Sequence, residues 1–127
     1  MIVDASAALA ILLSEPDAPT FARALAEADG ASMSAVNFVE AAIALESQTG
    51  TAGELDALMR RAAIKLAPVS AEQAYLARQA YADFGKGRHA ARLNLGDCFA
   101  YALAKFSGEA LLFKGEDFRR TDVIAAV

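Results

Sequence analysis

Short, continuous apolar runs alternate along this chain with longer stretches of helical periodicity, the pattern of strands and helices taking turns. Residues 1–3 are apolar, stop at Asp4 and read as a buried strand. Residues 5–13, rich in Ala and Leu, predict a helix that halts at Glu15-Pro16, because the residue before a proline avoids helical backbone. Residues 19–28 predict a second helix, closed by Asp29-Gly30. Residues 31–33 are a candidate strand. Ser34 is placed to cap the helix that follows and Gly50 to end it. Residues 54–64 carry Leu55, Leu58, Met59 and Ala62 on one helical face. Residues 66–69 are expected as a short edge strand, since Pro68 has no amide for a central ladder. Ser70 opens a long helix reaching Phe84, and a basic loop with two glycines, residues 85–92, comes next. Residues 96–106 predict a helix apolar nearly all round, hence central, with Gly108 beyond its end. Residues 110–113 read as another buried strand, residues 115–122 as a polar loop, and residues 123–127 as a last short strand.

Strands alternating with helices imply a parallel sheet covered on both faces. No repeat, linker or low-complexity segment interrupts the pattern, so residues 1–127 are read as one α/β domain. With 127 residues, 56% of them hydrophobic, the chain can bury a sizeable core. No apolar run reaches the roughly 18 residues that a bilayer span requires. Met1-Ile2-Val3-Asp4 has no basic region before its apolar residues and does not read as a signal peptide. A single cysteine, Cys98, excludes an internal disulfide framework, and the expectation is a cytoplasmic protein. The net charge of −4 argues against a broad electrostatic grip on nucleic acid. A protein of this balance that works on nucleic acid must concentrate its positive charge locally or borrow it from metal ions.

Three acids stand out by position. Asp4 ends the first strand, where open α/β sheets bind ligands; it is equally placed to cap the helix starting at Ala5. Glu40 shares a helical face with Val36, Ile43 and Ala44, which is expected to meet the core. An ionised carboxylate there is costly unless paired or metal-bound; alternatively, Glu40 sits at the face boundary and reaches water. Asp97 begins the most apolar helix, either as a first-turn acid favoured by the dipole or as the lining of an internal cleft. No Lys or Arg is an obvious buried partner for the three. Clustered carboxylates without cations repel one another, and a divalent ion relieves that repulsion. An all-oxygen set selects Mg²⁺ or Mn²⁺, and the lone His89 and lone Cys98 cannot supply a zinc site. Hard ions on carboxylates suit phosphodiester hydrolysis.

The stretches MIVDASAALAILLSEPDA, SAVNFVEAAIAL, LNLGDCFAYALAK and LLFKGEDFRRTDV cover the chain in order, and with them it resembles PIN-domain ribonucleases, in particular VapC-like toxins of bacterial toxin–antitoxin pairs. The resemblance implies a PIN-like three-layer α/β/α sandwich with a small parallel sheet and an acidic pocket. It makes Asp4, Glu40 and Asp97 the catalytic acids, with Asp4 and Asp97 as expected ligands of Mg²⁺ or Mn²⁺ and Glu40 completing the set. Ser6 and Asn94 match supporting positions, or else serve as caps and loop residues. Many relatives carry an acid or Asn where this chain has Gly115; Asp117 is then either a shifted fourth carboxylate or a solvated turn acid. The resemblance also implies an RNA substrate, often transfer RNA, a VapB-like antitoxin that blocks the pocket, and a homodimer.

Lys86, Arg88, His89 and Arg92 form the densest basic cluster, ahead of the Asp97 helix, with Lys114, Arg119 and Arg120 as a smaller group. They are either RNA-phosphate contacts near the pocket or solvated loop charges. Two rival functions are weighed. Haloacid-dehalogenase-like phosphatases also place an Asp after the first strand, but they need a second Asp where Ser6 stands. A catalytically weak or inactive PIN scaffold that binds RNA or a protein partner is the other, kept open by Gly115.

Overall fold

Four parallel strands form the middle layer in a computed structural model that describes residues 1–127. They are β1 (Ile2–Val3), β2 (Ala31–Ser34), β3 (Ile64–Ala67) and β4 (Leu111–Leu112), in the order β3-β2-β1-β4. Ile2 pairs with Ser32 on one side and Leu111 on the other, and Ala31 pairs with Ile64. The three connections between these parallel strands must be crossovers, and helices supply them: α1 (Ala5–Leu12), α2 (Ala18–Glu27), α3 (Ala35–Thr49), α4 (Gly53–Arg61), α5 (Ala71–Phe84) and α6 (Leu95–Ser107).

Side-chain alternation along the strands divides the core in two. Val3, Met33 and Leu112 pack with Ala8, Phe21, Leu45 and Leu58 from α1 to α4. Ile2, Leu111 and Phe113 pack on the other face with Ala77, Ala100 and Leu103 from α5 and α6. Helices therefore cover both faces, as the α/β/α expectation required. Left-handed backbone at Gly50 and Gly108 closes α3 and α6. No helix is long and apolar enough to cross a membrane.

Three boundaries differ from the sequence reading. The helix expected over residues 54–64 ends at Arg61, and Ala63 turns the chain with φ of +50°. The following strand starts at Ile64, earlier than the expected residue 66, because buried Ile64 pairs with Ala31; it is an edge strand, with Pro68 just past its end. Residues 123–127 form no strand. A single parallel bridge from Leu111 to Ala125 holds them, through the Leu111 amide on the Ile124 carbonyl and the Ala126 amide on the Leu111 carbonyl. The loop after β4 contains one 3₁₀ turn, Phe118–Arg120, anchored by Phe118 against Phe113 with ring centroids 5.2 Å apart.

The order of connections fixes where a ligand crevice opens. From β1 the chain moves outward through β2 to β3, then returns to place β4 on the other side of β1. The reversal lies beside the carboxyl end of β1, and Asp4 is the next residue.

Candidate active site

Asp4 is 3% exposed and divides its carboxylate, one oxygen capping α1 and the other left without a partner. Oδ2 caps α1, accepting the Ser6 amide at 3.0 Å and the Ser6 hydroxyl at 2.5 Å. Oδ1 is buried and has no hydrogen-bond partner. Ser6 is in turn fixed by the Lys114 amide, which donates to Oγ at 3.0 Å from beyond β4. Burial pushes the Asp4 carboxyl up to about 6; the Ser6 bonds oppose this and the charge of Glu40 adds to it.

Glu40 reaches the same place from α3, but by a different face than expected. Val36, Ile43 and Ala44 do not meet the core, and Ile43 is 63% exposed. Asn37, Ala41 and Leu45, spaced four apart, turn inward instead and place Glu40 at the boundary, half-buried. Its carboxylate lies over Gly96, where a Cβ would collide first with Oε2 and come within 2.7 Å of Oε1. Burial raises the Glu40 pKa, the Asn37 amide opposes the rise, and the charge of Asp97 adds to it.

Asp97 sits in the first turn of α6 in a reciprocal capping box. Asn94 Oδ1 accepts the Asp97 amide at 2.9 Å, and Asp97 Oδ2 accepts the Asn94 amide at 3.0 Å. The other carboxylate oxygen takes no part in that box. Burial pushes Asp97 up to about 6, and the charges of Asp4 and Asp117 contribute further. Asp117 is exposed at the start of the 3₁₀ turn, within reach of Asp97 by its charge. Gly115 is exposed with φ of +98°, a backbone that L side chains rarely adopt.

The topology thus brings Asp4, Glu40, Asp97 and Asp117 from four separated segments close enough for each to be felt electrostatically by another. No salt bridge involves any of the four. A hard divalent ion fits this set: the donors are all oxygen, Asp4 Oδ1 is buried without a proton donor, and positive charge would relieve the mutual repulsion. Nowhere do three His, Cys, Asp or Glu side chains converge tightly enough to enclose an ion. An ion held here would therefore have few direct protein ligands and keep several waters, as Mg²⁺ commonly does.

The two basic groups differ. Lys86, Arg88 and Arg92 are exposed, and no ion pair includes them; the Arg88 guanidinium stacks 5.7 Å from the Tyr81 ring centroid. Their loop is held by main-chain bonds from Lys86 to Leu93 and from Leu93 to Phe84. His89 is exposed in that loop, its Nδ1 accepting the Ala91 amide. In the second group, Lys114 pairs with Glu15 and Asp17, and Arg119 with Glu116. Lys86, Arg88 and Arg92 therefore offer free positive charge, whereas Lys114 and Arg119 are already committed.

The sequence reading passed over Asn37. Its signal was available: Asn37 is the polar member of a set at positions 37, 41 and 45 that is otherwise apolar.

Residues 1–124 match the model of the PIN domain, and the chain belongs to that family. It is 53% identical over 127 residues to a ribonuclease VapC of Mycolicibacterium smegmatis, covering 98% of each chain. It is 52% identical over 126 residues to ribonuclease VapC30 of Mycobacterium tuberculosis, covering 97% of this chain and 95% of that one. Among solved structures, the fold is similar to that of Mycobacterium tuberculosis VapC20, described as a sarcin–ricin loop cleaving toxin, with TM-score 0.77, 19% identity and coverage of 97% and 95%. It is also similar to a chain of a toxin–antitoxin complex from Klebsiella pneumoniae, with TM-score 0.73, 14% identity and coverage of 99% and 97%.

Proposed function

We propose that this chain is a metal-dependent endoribonuclease of the VapC type, the toxin of a toxin–antitoxin pair, and that it hydrolyses RNA phosphodiester bonds. The observation that carries the metal reading is Asp4 Oδ1, a buried carboxylate oxygen without a donor and within the field of other acids. Asp4 and Asp97 are the residues that would hold Mg²⁺ or Mn²⁺, each through the oxygen its cap leaves free, and Glu40 completes the set. When bound, such an ion lowers the pKa of water and offsets negative charge growing on the phosphate. Glu40, held at Oε1 by Asn37, would orient the attacking water through its carboxylate. Asp117, on the exposed side, adds negative charge that favours a second cation weakly.

Lys86, Arg88 and Arg92 supply the local positive charge that an acidic protein needs against RNA. The relatives' names and the Klebsiella complex support an RNA substrate and an antitoxin partner. The finer readings are a structured RNA such as transfer RNA as substrate, a VapB-like antitoxin, a homodimer and action in the cytoplasm. The whole of residues 1–127 serves as one PIN domain in this account. Retention of Asp4, Glu40 and Asp97 favours cleavage over a non-cutting scaffold.

The test is to sequence RNA ends after induced expression, with Asp97→Asn as the control. New ends that appear with the native chain and not with the variant are expected. Identical profiles from the two would remove the ribonuclease reading.

A further inference from the structure

Asn37 is 0% exposed, one helical turn before Glu40 on α3, among the apolar residues that face the sheet. Its amide nitrogen donates in two directions, to Glu40 Oε1 at 3.2 Å and to the Gly96 carbonyl at 2.9 Å. Its own Oδ1 is buried without a partner. Packing does not explain such a residue, since an apolar side chain of similar shape would leave no orphaned oxygen. The two donated bonds are what the amide contributes.

Gly96 forms the other half of the arrangement. It immediately precedes Asp97 on α6, and its bare Cα makes room for the Glu40 carboxylate. One side chain thus ties Glu40 on α3 to the backbone that presents Asp97 on α6. A hydroxyl could not donate both bonds at once, whereas a primary amide has two hydrogens. A lysine or arginine could donate both, but its charge would compete with a cation for the acids. An amide orients the carboxylate and leaves its charge available.

We infer that Asn37 is a positioning residue for the metal site: with Gly96 as the seat, it holds Glu40 Oε1 and fixes α3 against the first turn of α6. The Glu40 carboxylate is thereby seated on Gly96, within the field of Asp97. The inference rests on the metal reading of the acids and adds to it a residue that touches no substrate.

The test measures Mn²⁺ affinity of the purified full chain by electron paramagnetic resonance, and single-turnover RNA cleavage, for Asn37→Ala, Glu40→Ala and the double variant. Asn37→Ala is expected to weaken Mn²⁺ binding and slow cleavage by about 10- to 100-fold, the range for outer groups that orient metal ligands. The KM for RNA should not move. In the Glu40→Ala background the same change should cost less than about twofold, because the group it positions is gone. Equal losses in both backgrounds, or unchanged Mn²⁺ affinity in Asn37→Ala, would overturn the inference. Should Asn37→Ala not fold, Gly96→Ala perturbs the same carboxylate from the other side; lowered Mn²⁺ affinity supports the inference and native affinity overturns it. Native protein that binds no Mn²⁺ overturns the metal reading and this inference with it, an outcome visible before any variant is compared.

Discussion

Ser6 holds Asp4 by two bonds to one oxygen, its amide at 3.0 Å and its hydroxyl at 2.5 Å, and leaves the other oxygen of the carboxylate without a partner. The Lys114 amide orients that hydroxyl from just beyond β4. Ser6 therefore selects which Asp4 oxygen is spent on capping and favours the ionised form. Ser6→Ala should lower cleavage by about 10- to 100-fold while the protein stays folded. Losing bonds to the charged form raises the Asp4 pKa further, so the acid limb of the pH–rate profile should move to higher pH. A profile measured across the acid range that does not move would show that Ser6 acts only as a cap.

The raised pKa values predict an unusual stability profile. Asp4 and Asp97 both titrate near 6 in the folded chain, against about 3.9 for a free aspartate. Between those values the native state keeps protons that the unfolded chain has released. Their contribution to stability thus falls as pH rises from about 4 to about 6, and it stays low above that. Asp97→Asn keeps the capping acceptor and removes the charge. Without metal it should melt a few degrees above the native protein at neutral pH, with the difference shrinking toward pH 4. Added Mn²⁺ should reverse the ranking, since it stabilises only the form that binds it. Thermal unfolding at several pH values reads both effects; a variant less stable than native protein without metal would contradict the burial argument.

Asp117 and Gly115 make separable predictions. Asp117 is exposed yet close enough to raise the Asp97 pKa, so Asp117→Asn should weaken cleavage at limiting Mn²⁺ and recover at saturating Mn²⁺. Gly115→Asp, which restores the acid seen in many relatives, meets a φ of +98° and should cost about 1–3 kcal/mol of stability. Chemical denaturation measures the second, and a Gly115→Asp chain as stable as the native one would show that the loop relaxes freely.

Arg88 and Arg92 are free of ion pairs, which makes them the testable end of the charge problem. Reversing both charges should weaken RNA binding. The slope of log affinity against log salt should also shrink by about 0.7 per lost contact with a single strand. Binding with an unchanged salt slope would return both residues to the role of solvated loop charges.

Much of this was legible in the residues, for identifiable reasons. Continuous apolar runs such as Leu111–Leu112 and caps such as Ser34 and Asn94 are local signals, and the structure keeps them. Asp4 and Asp97 stood out because each falls beside a local signal, a strand end or a first helical turn; Glu40 stood out on a face that the structure turns away from the core. What failed was rotational. The sequence could not tell which apolar stripe of α3 faces the sheet, because residues 36, 43 and 44 and residues 41 and 45 both satisfy helical spacing. The choice was made by tertiary contacts, through Asn37 reaching the Gly96 carbonyl 59 residues away. The strand at Ile64 was misplaced for a similar reason. Its start depends on pairing with Ala31, and no local residue announces that.

The most direct test of the account is cleavage of RNA by the purified chain, freed of any antitoxin, with and without Mn²⁺. Asp4→Asn and Asp97→Asn serve as controls of unchanged fold. The account predicts cleavage that requires the ion, stops on chelation, and falls at least about 100-fold in each variant, as loss of a charge-bearing catalytic ligand entails. Cleavage that survives chelation, or persists in both variants, would contradict it.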